Sequence, residues 1–189
     1  MKGSYHHGNL KHDLLETSIR IISEKGFDAL SLRNVSMQCG VSHNAVYRHF
    51  ENKQQLIAAC RAYVTERMTA HLNQAIANID IASGEALRRF CAAYISFYQQ
   101  YPTYYSALYR NTEVKLVFST ENADENYPPL ALFQTVCAAY GKRKGWTPEK
   151  TQAQMIQLWS LVHGLTALVI SANVDWDRDW LKYLDNITE

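Results

Sequence analysis

Residues 31–50 carry polar side chains whose types and spacing suit contact with a nucleic acid. The stretch reads SLRNVSMQCGVSHNAVYRHF. If Val46 and Phe50 face a core, a helical wheel turns Asn44 and Arg48 outward. An asparagine amide can pair with the edge of adenine, and an arginine can pair with guanine or a phosphate. The segment therefore predicts a helix that presents hydrogen-bonding groups to double-stranded DNA.

Neighbouring residues extend this candidate surface. Ala45 and Tyr47 flank the outward face on the same wheel. Ser42 can cap the helix, which leaves exposed N–H groups at its N-terminus to meet a phosphate. Lys53 stands at the start of the next predicted helix and is placed for a second phosphate. Phosphate contacts are therefore expected beside the base contacts.

Two short helices must position these side chains. They flank Gly40-Val41-Ser42, where a glycine can adopt the left-handed conformation that stops the first helix. Leu32, Val35 and Cys39 form the inner stripe of that helix, and the small Ser36 lets the two helices cross closely. The pattern predicts a helix-turn-helix. The alternative is a plain helical hairpin with solvated polar residues.

Several motifs in this region belong together. A glycine-hydrophobic step ends the first helix at Glu24-Lys25-Gly26-Phe27, and a Ser-Leu-Arg start follows at Ser31-Leu32-Arg33. A Gly-Val-Ser turn stands at Gly40-Val41-Ser42, and a Tyr-x-His-Phe ending stands at Tyr47-Arg48-His49-Phe50. A Lys-x-x-Leu step then runs from Lys53 to Leu56. Over about residues 5–60 the chain resembles the DNA-binding domain of the TetR (tetracycline repressor) family. The start, Tyr5-His6-His7-Gly8-Asn9-Leu10, resembles one branch of it.

The resemblance implies an all-α fold of about nine helices, a homodimer, and one recognition helix in each of two successive major grooves. The DNA contacts that it implies are groove contacts by His43, Asn44 and Tyr47, phosphate contacts by His49 and Lys53, and a further contact by Arg33. The helical wheel instead places His49 beside the core. The two interpretations of His49 disagree, and the family pattern is preferred because a rim histidine can pack its ring and still reach a phosphate.

Helix start and stop signals recur along the rest of the chain. Starts are predicted at Asn9, Ser31, Ser42, Asn52 with Gln55, Ser83, Thr103, Pro128-Pro129, Thr147-Pro148 and Asp175. The last of these helices bears Trp176, Trp180 and Leu184, and the run 115–119 is left open between a strand and a helix end. We predict a three-helix helix-turn-helix domain over residues 1–58 and a helical effector-binding and dimerisation domain over residues 59–189.

The second half contains a dense run of aromatic residues, eight of them between Phe90 and Tyr109. Such a stripe usually fills a core, although in the resembled family the same region encloses an effector pocket. The candidate effector-binding residues are Tyr94, Phe97, Tyr98, Tyr101, Tyr105, Tyr109, Phe133, Trp159 and His163. No Lys or Arg lies in the stripe after Arg89, so the expected effector is small, apolar or aromatic. A lone histidine such as His163 is more often a satisfied core residue than a ligand contact.

The segment Trp159-Ser160-Leu161-Val162-His163-Gly164 resembles the Trp–His-Gly element of some TetR-like C-terminal domains. Small residues on this helix, Ser160, Gly164, Ala167 and Ser171, allow a second helix to approach closely. Together with the predicted Trp176/Trp180 helix they predict a two-fold dimer interface. Packing within one chain is the alternative.

Composition excludes several classes of protein. Among 189 residues the formal net charge is +1 and 47% are hydrophobic, which is typical of a globular chain. The four cysteines form no Cys-x-x-Cys pair and are expected to be reduced, buried thiols in a cytoplasmic protein. No metal, cofactor, catalytic motif, signal peptide or membrane span is expected.

These patterns predict a transcriptional regulator, more often a repressor, that binds an operator as a homodimer and is released by a small molecule. Two alternatives stay open: an all-helical small-molecule binding protein without a DNA role, and an enzyme of an unfamiliar helical type. The sequence specifies neither the effector nor the operator.

Overall fold

The computed structural model describes residues 9–109, 116–119, 126–175 and 179–185. In this part of the chain all regular structure is helical, which confirms the predicted fold class. The described residues divide into two compact units. The first comprises 9–64 and 103–109, and the second comprises 65–102 and the described residues from 116 onward.

Eight α-helices lie in the described residues. Their bounds are α1 Leu10–Lys25, α2 Leu32–Gln38, α3 His43–Tyr47, α4 Lys53–Ile76, α5 Gly84–Gln100, α6 Pro102–Tyr109, α7 Pro128–Arg143 and α8 Pro148–Ile170. Two short 3-10 helices, Phe27–Ala29 and Trp180–Tyr183, accompany them. The predicted boundary between residues 58 and 59 falls inside α4, which contributes residues to both units.

Side-chain caps begin several of these helices as predicted. In each case the hydroxyl oxygen accepts a hydrogen bond from the backbone N–H three residues on, at 3.1 to 3.3 Å, for Ser31, Ser42, Ser83 and Thr147. The Asn52 side chain does the same for the N–H of Gln55 at 2.8 Å, just before α4. Such a cap contributes about 1 kcal/mol because it satisfies an otherwise unpaired donor.

The core of the first unit is built from the apolar stripes of its helices. The buried members are Leu14, Ile19 and Ile22 of α1, Leu32 and Val35 of α2, Val46 of α3, Phe50, and Leu56, Cys60 and Val64 of α4. α2 packs against both α1 and α3. The short α3 is therefore held against the rest of the unit through α2.

The second unit is organised around α5, which packs against α7 and α8. Most of the predicted aromatic stripe is buried here, with Phe90, Tyr94, Phe97 and Tyr98 at 2% exposure or less. Rings from α7 and α8 complete the cluster, since Phe133 and Trp159 are also buried. The prediction that these rings fill a core is confirmed for this set.

Two local expectations need correction, and a third concerns a residue outside the described ranges. Residues 116–119 form neither a strand nor a helix end, because side chains of Gln134 and Gln152 bind their backbone carbonyls instead. The predicted helix after Asp175 is replaced, in its described part, by the 3-10 helix Trp180–Tyr183. Trp176 lies outside the described residues.

α8 bears on the expectation that the chain has no membrane span. It is 23 residues long and, among the described helices, the one that is long and apolar enough to cross a bilayer by length and composition. Buried core helices pass the same test, and part of α8 is buried in the second unit, with Met155, Val162 and Val169 at 5% exposure or less. With these buried side chains α8 contributes to the core of the second unit.

α7 and α8 approach each other closely at Gly141. A Cβ built on Gly141 would lie 2.5 Å from the Oγ1 atom of Thr151 on α8. Thr151 is held in place, because its hydroxyl donates to the Thr147 carbonyl at 3.0 Å. Only a residue without a side chain fits between the helices at this point.

The variant Gly141→Ala is expected to lower the free energy of unfolding by about 1–3 kcal/mol, because the added methyl overpacks the contact. Urea unfolding followed by circular dichroism measures the change. In a Thr151→Ala background the same substitution should cost clearly less. Equal costs in the two backgrounds would show that this contact does not set the helix spacing.

Candidate nucleic-acid interface

α3 separates a buried face from an exposed one. Val46 is fully buried, whereas Tyr47 is 49% exposed. His43, Asn44 and Arg48 are exposed as well, as the helical wheel predicts for Asn44 and Arg48. Ala45 is half-buried between the two faces. The outer face therefore carries hydrogen-bonding side chains over its whole length.

The turn before α3 fixes its direction. Gly40 has a φ of 66°, the left-handed conformation that a glycine adopts without strain. The N–H of Val41 then donates to the Ser36 carbonyl at 3.0 Å. Ser36 is buried, which is the small-residue crossing that the sequence predicts. Cys39 lies near α1, with its Sγ atom 3.2 Å from the Oγ1 atom of Thr17.

The structure decides where the side chain of His49 lies. α3 ends at Tyr47, earlier than the predicted end at Phe50, and Arg48 and His49 form a turn. His49 is consequently exposed, so its placement beside the core by a continuous helical wheel is wrong. His43 is also exposed, and its ring meets that of Tyr47 edge-on at 4.8 Å between centroids.

The other predicted DNA contacts lie in the same unit. Arg33 is exposed on the first turn of α2, and Lys53 is half-buried as the first residue of α4. Ser42 uses its hydroxyl oxygen to cap α3. The first unit thus brings together all nine predicted DNA-binding residues, and three of them, Arg33, Arg48 and Lys53, are basic.

A polar cluster in the first unit was not foreseen from the sequence. One oxygen of the Glu16 carboxylate accepts hydrogen bonds from the hydroxyls of Tyr63, at 2.7 Å, and Tyr104. Burial and its bond to Glu16 raise the pKa of Tyr104 above the usual tyrosine value, so it stays protonated as a donor. The cluster links α1, α4 and α6. The sequence could not predict this cluster, because its members are far apart in the chain and meet only when the helices pack together.

Among the predicted effector-binding residues, five cluster in the second unit. The Tyr94 hydroxyl lies 2.9 Å from the Nε2 atom of His163. The ring of Trp159 lies 4.7 Å from that of His163 and 5.3 Å from that of Phe133, between centroids. The ring of Tyr98 contacts that of Tyr94, with 5.3 Å between centroids. This arrangement agrees with the view of His163 as a satisfied core histidine.

The remaining four candidates lie elsewhere. Phe97 and Tyr101 pack ring to ring at 5.4 Å on the α4 side of α5. Tyr105 and Tyr109 belong to α6 in the first unit, where their rings lie 5.0 Å apart. Seven of the nine candidates therefore lie in the second unit and two in the first.

A cavity of about 260 Å³ lies between α4 and α5 within the second unit. Phe97 and Tyr101 line it, together with residues of α4 that the sequence prediction did not include: Arg67, Ala70, His71 and Gln74. These four residues recur at i, i+3, i+4 and i+7, the spacing of one helix face, and three of them are polar. The sequence does not show which helix lies opposite this face of α4, so it could not predict the cavity.

Three of the four cysteines are buried as expected, whereas Cys39 is half-buried. All four cysteines are free, and burial raises the pKa of Cys60 and of Cys91 to about 12. Burial likewise raises the pKa of Cys137. In the part of the chain that the structure describes, no group of three or more His, Cys, Asp or Glu residues could hold a metal ion.

Comparison with known families matches both halves of the chain. A family model described as bacterial regulatory proteins, tetR family, matches residues 14–60. A second model, described as a tetracyclin repressor-like C-terminal domain, matches residues 87–188, more than half of the chain. Both families consist of transcriptional regulators and not of enzymes, which confirms the prediction that the chain is not an enzyme.

Individual proteins give the same picture. The HTH-type regulator YerO of Bacillus subtilis is 36% identical over 64 residues, 33% of this chain but only 22% of its own length. The HTH-type regulator Rv0681 of Mycobacterium tuberculosis is 23% identical over 169 residues, 87% of this chain and 72% of its own. A tetR-family regulatory protein from Rhodococcus RHA1 shares the fold, with a TM-score of 0.70 at 15% identity over 94% of each chain.

The environment of His163 predicts a dependence of stability on pH. Burial lowers the pKa of His163 from 6.5 to about 4. Between these two values the unfolded chain binds the proton and the folded chain does not, so stability falls as the pH falls. The full loss of unfolding free energy from His163 is about 3 kcal/mol, and it is reached when the pH has dropped to about 4.

In His163→Gln the loss of unfolding free energy between pH 7 and pH 4.5 should be smaller than in the natural protein. Urea unfolding at both pH values measures it. His43→Gln, at an exposed site, serves as the control and should retain the natural pH dependence. An unchanged pH dependence in His163→Gln would show that His163 does not titrate in this way.

Proposed function

Because the chain belongs to the tetR family of bacterial regulatory proteins, with a helix-turn-helix DNA-binding domain, we propose that it is a cytoplasmic repressor. In this proposal it binds a palindromic operator as a homodimer and is released by a small-molecule effector. DNA binding and regulation follow from the family. Repression, the palindrome, the dimer and the effector are the proposed part.

The exposed face of α3 is the observation that supports this function best. A helix enters the major groove with the side chains that point away from its own core. Asn44 lies in the first turn of α3 and is exposed, so we assign it a base contact. His43, Tyr47 and Arg48 share the exposed face, and Ala45 at its edge can meet a thymine methyl.

Phosphate contacts would position this helix. Lys53 begins α4, His49 lies in the turn after α3, and Arg33 is exposed on α2. Side chains of these types bind phosphate oxygens and fix the orientation of a protein on the duplex. Ser42 takes part through its cap, which sets the start of α3.

A face of α8 supports the proposed dimer. Ile156, Leu161 and Leu168 are 37–44% exposed, and nothing lies within 4 Å of a Cβ built on Gly164. Small and apolar side chains thus cover one exposed side of a long helix, which suits close packing against a second copy. Trp180, expected at this interface, is instead buried within its own unit.

The effector would act in the second unit. The cluster of Tyr94, Trp159 and His163 contains residues of the Trp–His-Gly element, and these rings would have to repack to admit an apolar or aromatic ligand. Release from DNA requires that the ligand binds one conformation of the dimer more tightly than the other. A coupling of about 1–3 kcal/mol is typical.

Retention of genomic DNA fragments by the immobilised protein, followed by sequencing, tests the proposal. A repressor of this type should enrich a few fragments that share an inverted repeat, and their enrichment should fall when an effector is added. Retention of no specific DNA would instead favour the alternative of an all-helical small-molecule binding protein.

Asn44→Ala is expected to relax the preference at one base position of the operator and to weaken binding by about 1–3 kcal/mol, because a bidentate contact to a base is lost.

Lys53→Ala should weaken binding to all sequences alike and lower the slope of log affinity against log salt by about 1. Fluorescence anisotropy with operator and scrambled DNA measures both.

Lys142→Ala provides the matched control for charge, because Lys142 is exposed in the second unit and outside the proposed interface. It should change neither specificity nor the salt slope. If Asn44→Ala weakened operator and scrambled DNA equally, Asn44 would have to be reassigned to a backbone contact.

Leu161→Arg should convert the proposed dimer into a monomer, since it places a charge in the apolar face of α8. Equilibrium sedimentation at micromolar concentration should give twice the chain mass of 21.7 kDa for the natural protein and about one chain mass for the variant. Gln99→Arg, which adds the same charge at an exposed position of α5, should stay dimeric. A natural protein that sediments as a monomer would contradict the proposed dimer.

A further inference from the structure

We infer that the cavity between α4 and α5 binds a small carboxylate with a flat apolar body. α4 and α5 both contribute residues at helical spacing, so a groove between two aligned helix faces forms the site. The described lining consists of Arg67, Ala70, His71, Gln74, Phe97, Gln100 and Tyr101. Binding in itself is independent of the proposed function, whereas a regulatory effect of the ligand rests on it.

The charge of the cavity favours an anion. Arg67 provides a permanent positive charge, and none of the described lining residues is acidic. The guanidinium carbon lies 5.0 Å from the centre of the Tyr101 ring, so the aromatic ring helps to orient the arginine. A guanidinium matches the planar geometry of a carboxylate and binds it through two parallel hydrogen bonds.

His71 reinforces this preference from the next turn of α4. Its ring centre lies 5.6 Å from that of Phe97, and its Nε2 atom lies 3.5 Å from the Ser96 hydroxyl. The imidazole is therefore oriented by α5 and stands four residues from Arg67. One arginine and one histidine on the same side of α4 can both donate to an anion.

The apolar lining and the size of the cavity determine which uncharged part of a ligand fits. Phe97 is almost fully buried beneath the cavity, so the apolar surface open to a ligand comes from Tyr101 and Ala70. The exposed amides of Gln74 and Gln100 form the rim. A volume of about 260 Å³ is slightly below the ~300 Å³ at which typical ligand cavities begin. The occupant is therefore small, on the scale of a single aromatic ring.

This inference revises the expected chemistry of the ligand. The sequence prediction of a small apolar or aromatic molecule rested on the absence of Lys and Arg in the aromatic stripe after Arg89. In the structure the charge comes from α4, which faces that stripe in space. A carboxylate on an aromatic ring would meet both requirements, with the ring against Tyr101 and Ala70 and the carboxylate at Arg67.

Benzoate, benzamide and inorganic phosphate are the probes that test this assignment. Benzamide keeps the size and the ring but lacks the charge, and phosphate keeps a negative charge but lacks the ring. Titration of the full-length protein at millimolar ligand, followed by ligand-observed NMR, should show saturable binding of benzoate. Binding should be at least about tenfold weaker for benzamide and for phosphate, which corresponds to the loss of one charge-assisted contact or of the apolar contact.

Arg67→Gln should reduce benzoate binding to the level of benzamide. Arg89→Gln, which removes the same charge from an exposed position outside the cavity, should bind benzoate like the natural protein. Ala70→Leu narrows the cavity from an exposed position and should also weaken benzoate, which keeps the test decisive if Arg67→Gln fails to fold.

Three results would each overturn the inference: no saturable binding of benzoate, equal binding of benzoate and either of the other probes, or full benzoate binding by both Arg67→Gln and Ala70→Leu. Retention of operator DNA, measured without any ligand, reports on the proposed function separately. Benzoate binding that leaves operator retention unchanged would establish the site and remove its regulatory role.

Discussion

The burial of one face of α3 is the constraint on which the DNA-binding unit depends. α3 has five residues, whereas isolated helices need about 12–15 residues to be even marginally stable in water. Its conformation therefore comes from Val46 and Phe50, both buried, and from the Ser42 cap. Because the inner face is fixed in this way, the outer face has no freedom to rotate. The exposure of Asn44 is a consequence of where Val46 lies.

α5 has a comparable role in the second unit. One side of it carries Tyr94 and Tyr98 toward the rings of α7 and α8, and another side carries Phe97 and Tyr101 along the α4 cavity. The first side is filled by rings in mutual contact. A ligand that entered it would have to displace Trp159 or His163, which are held by several ring contacts. The second side already has space, so a ligand could bind there without repacking the core.

Local signals account for what could be predicted from the sequence. Ser31, Ser42, Ser83 and Thr147 each marked a helix start because a cap is a bond between residues three apart, which is visible without the fold. The outward position of Asn44 followed from the same short-range geometry. For His49 the identical argument failed, because it assumed that α3 continues to Phe50. The turn of Arg48 and His49 that ends α3 is not contained in a helical wheel, which assumes one continuous helix.

Long-range register accounts for what could not be predicted. Glu16, Tyr63 and Tyr104 meet across three helices, and Arg67 faces Tyr101 only because α4 and α5 align with these residues opposite each other. Trp180 gave no indication of whether it packs inward or against a second copy, since a large apolar side chain suits both. Composition identified the aromatic stripe, but the helix that faces each ring decides its chemistry.

The size of the cavity limits what a ligand in it could do to DNA binding. A ligand changes an equilibrium only by the difference between its affinities for the two states, so its coupling energy cannot exceed its own binding energy. An occupant of about ten non-hydrogen atoms has a binding energy of at most about −1.5 kcal/mol per atom, and drug-sized ligands average about −0.3. At the lower value the total is about 3 kcal/mol, and only the part that differs between the states counts. One small carboxylate in each chain of a dimer would double this effect on operator binding, because the two differential energies add. Cooperative release would follow from the dimer itself and would need no unusually tight ligand.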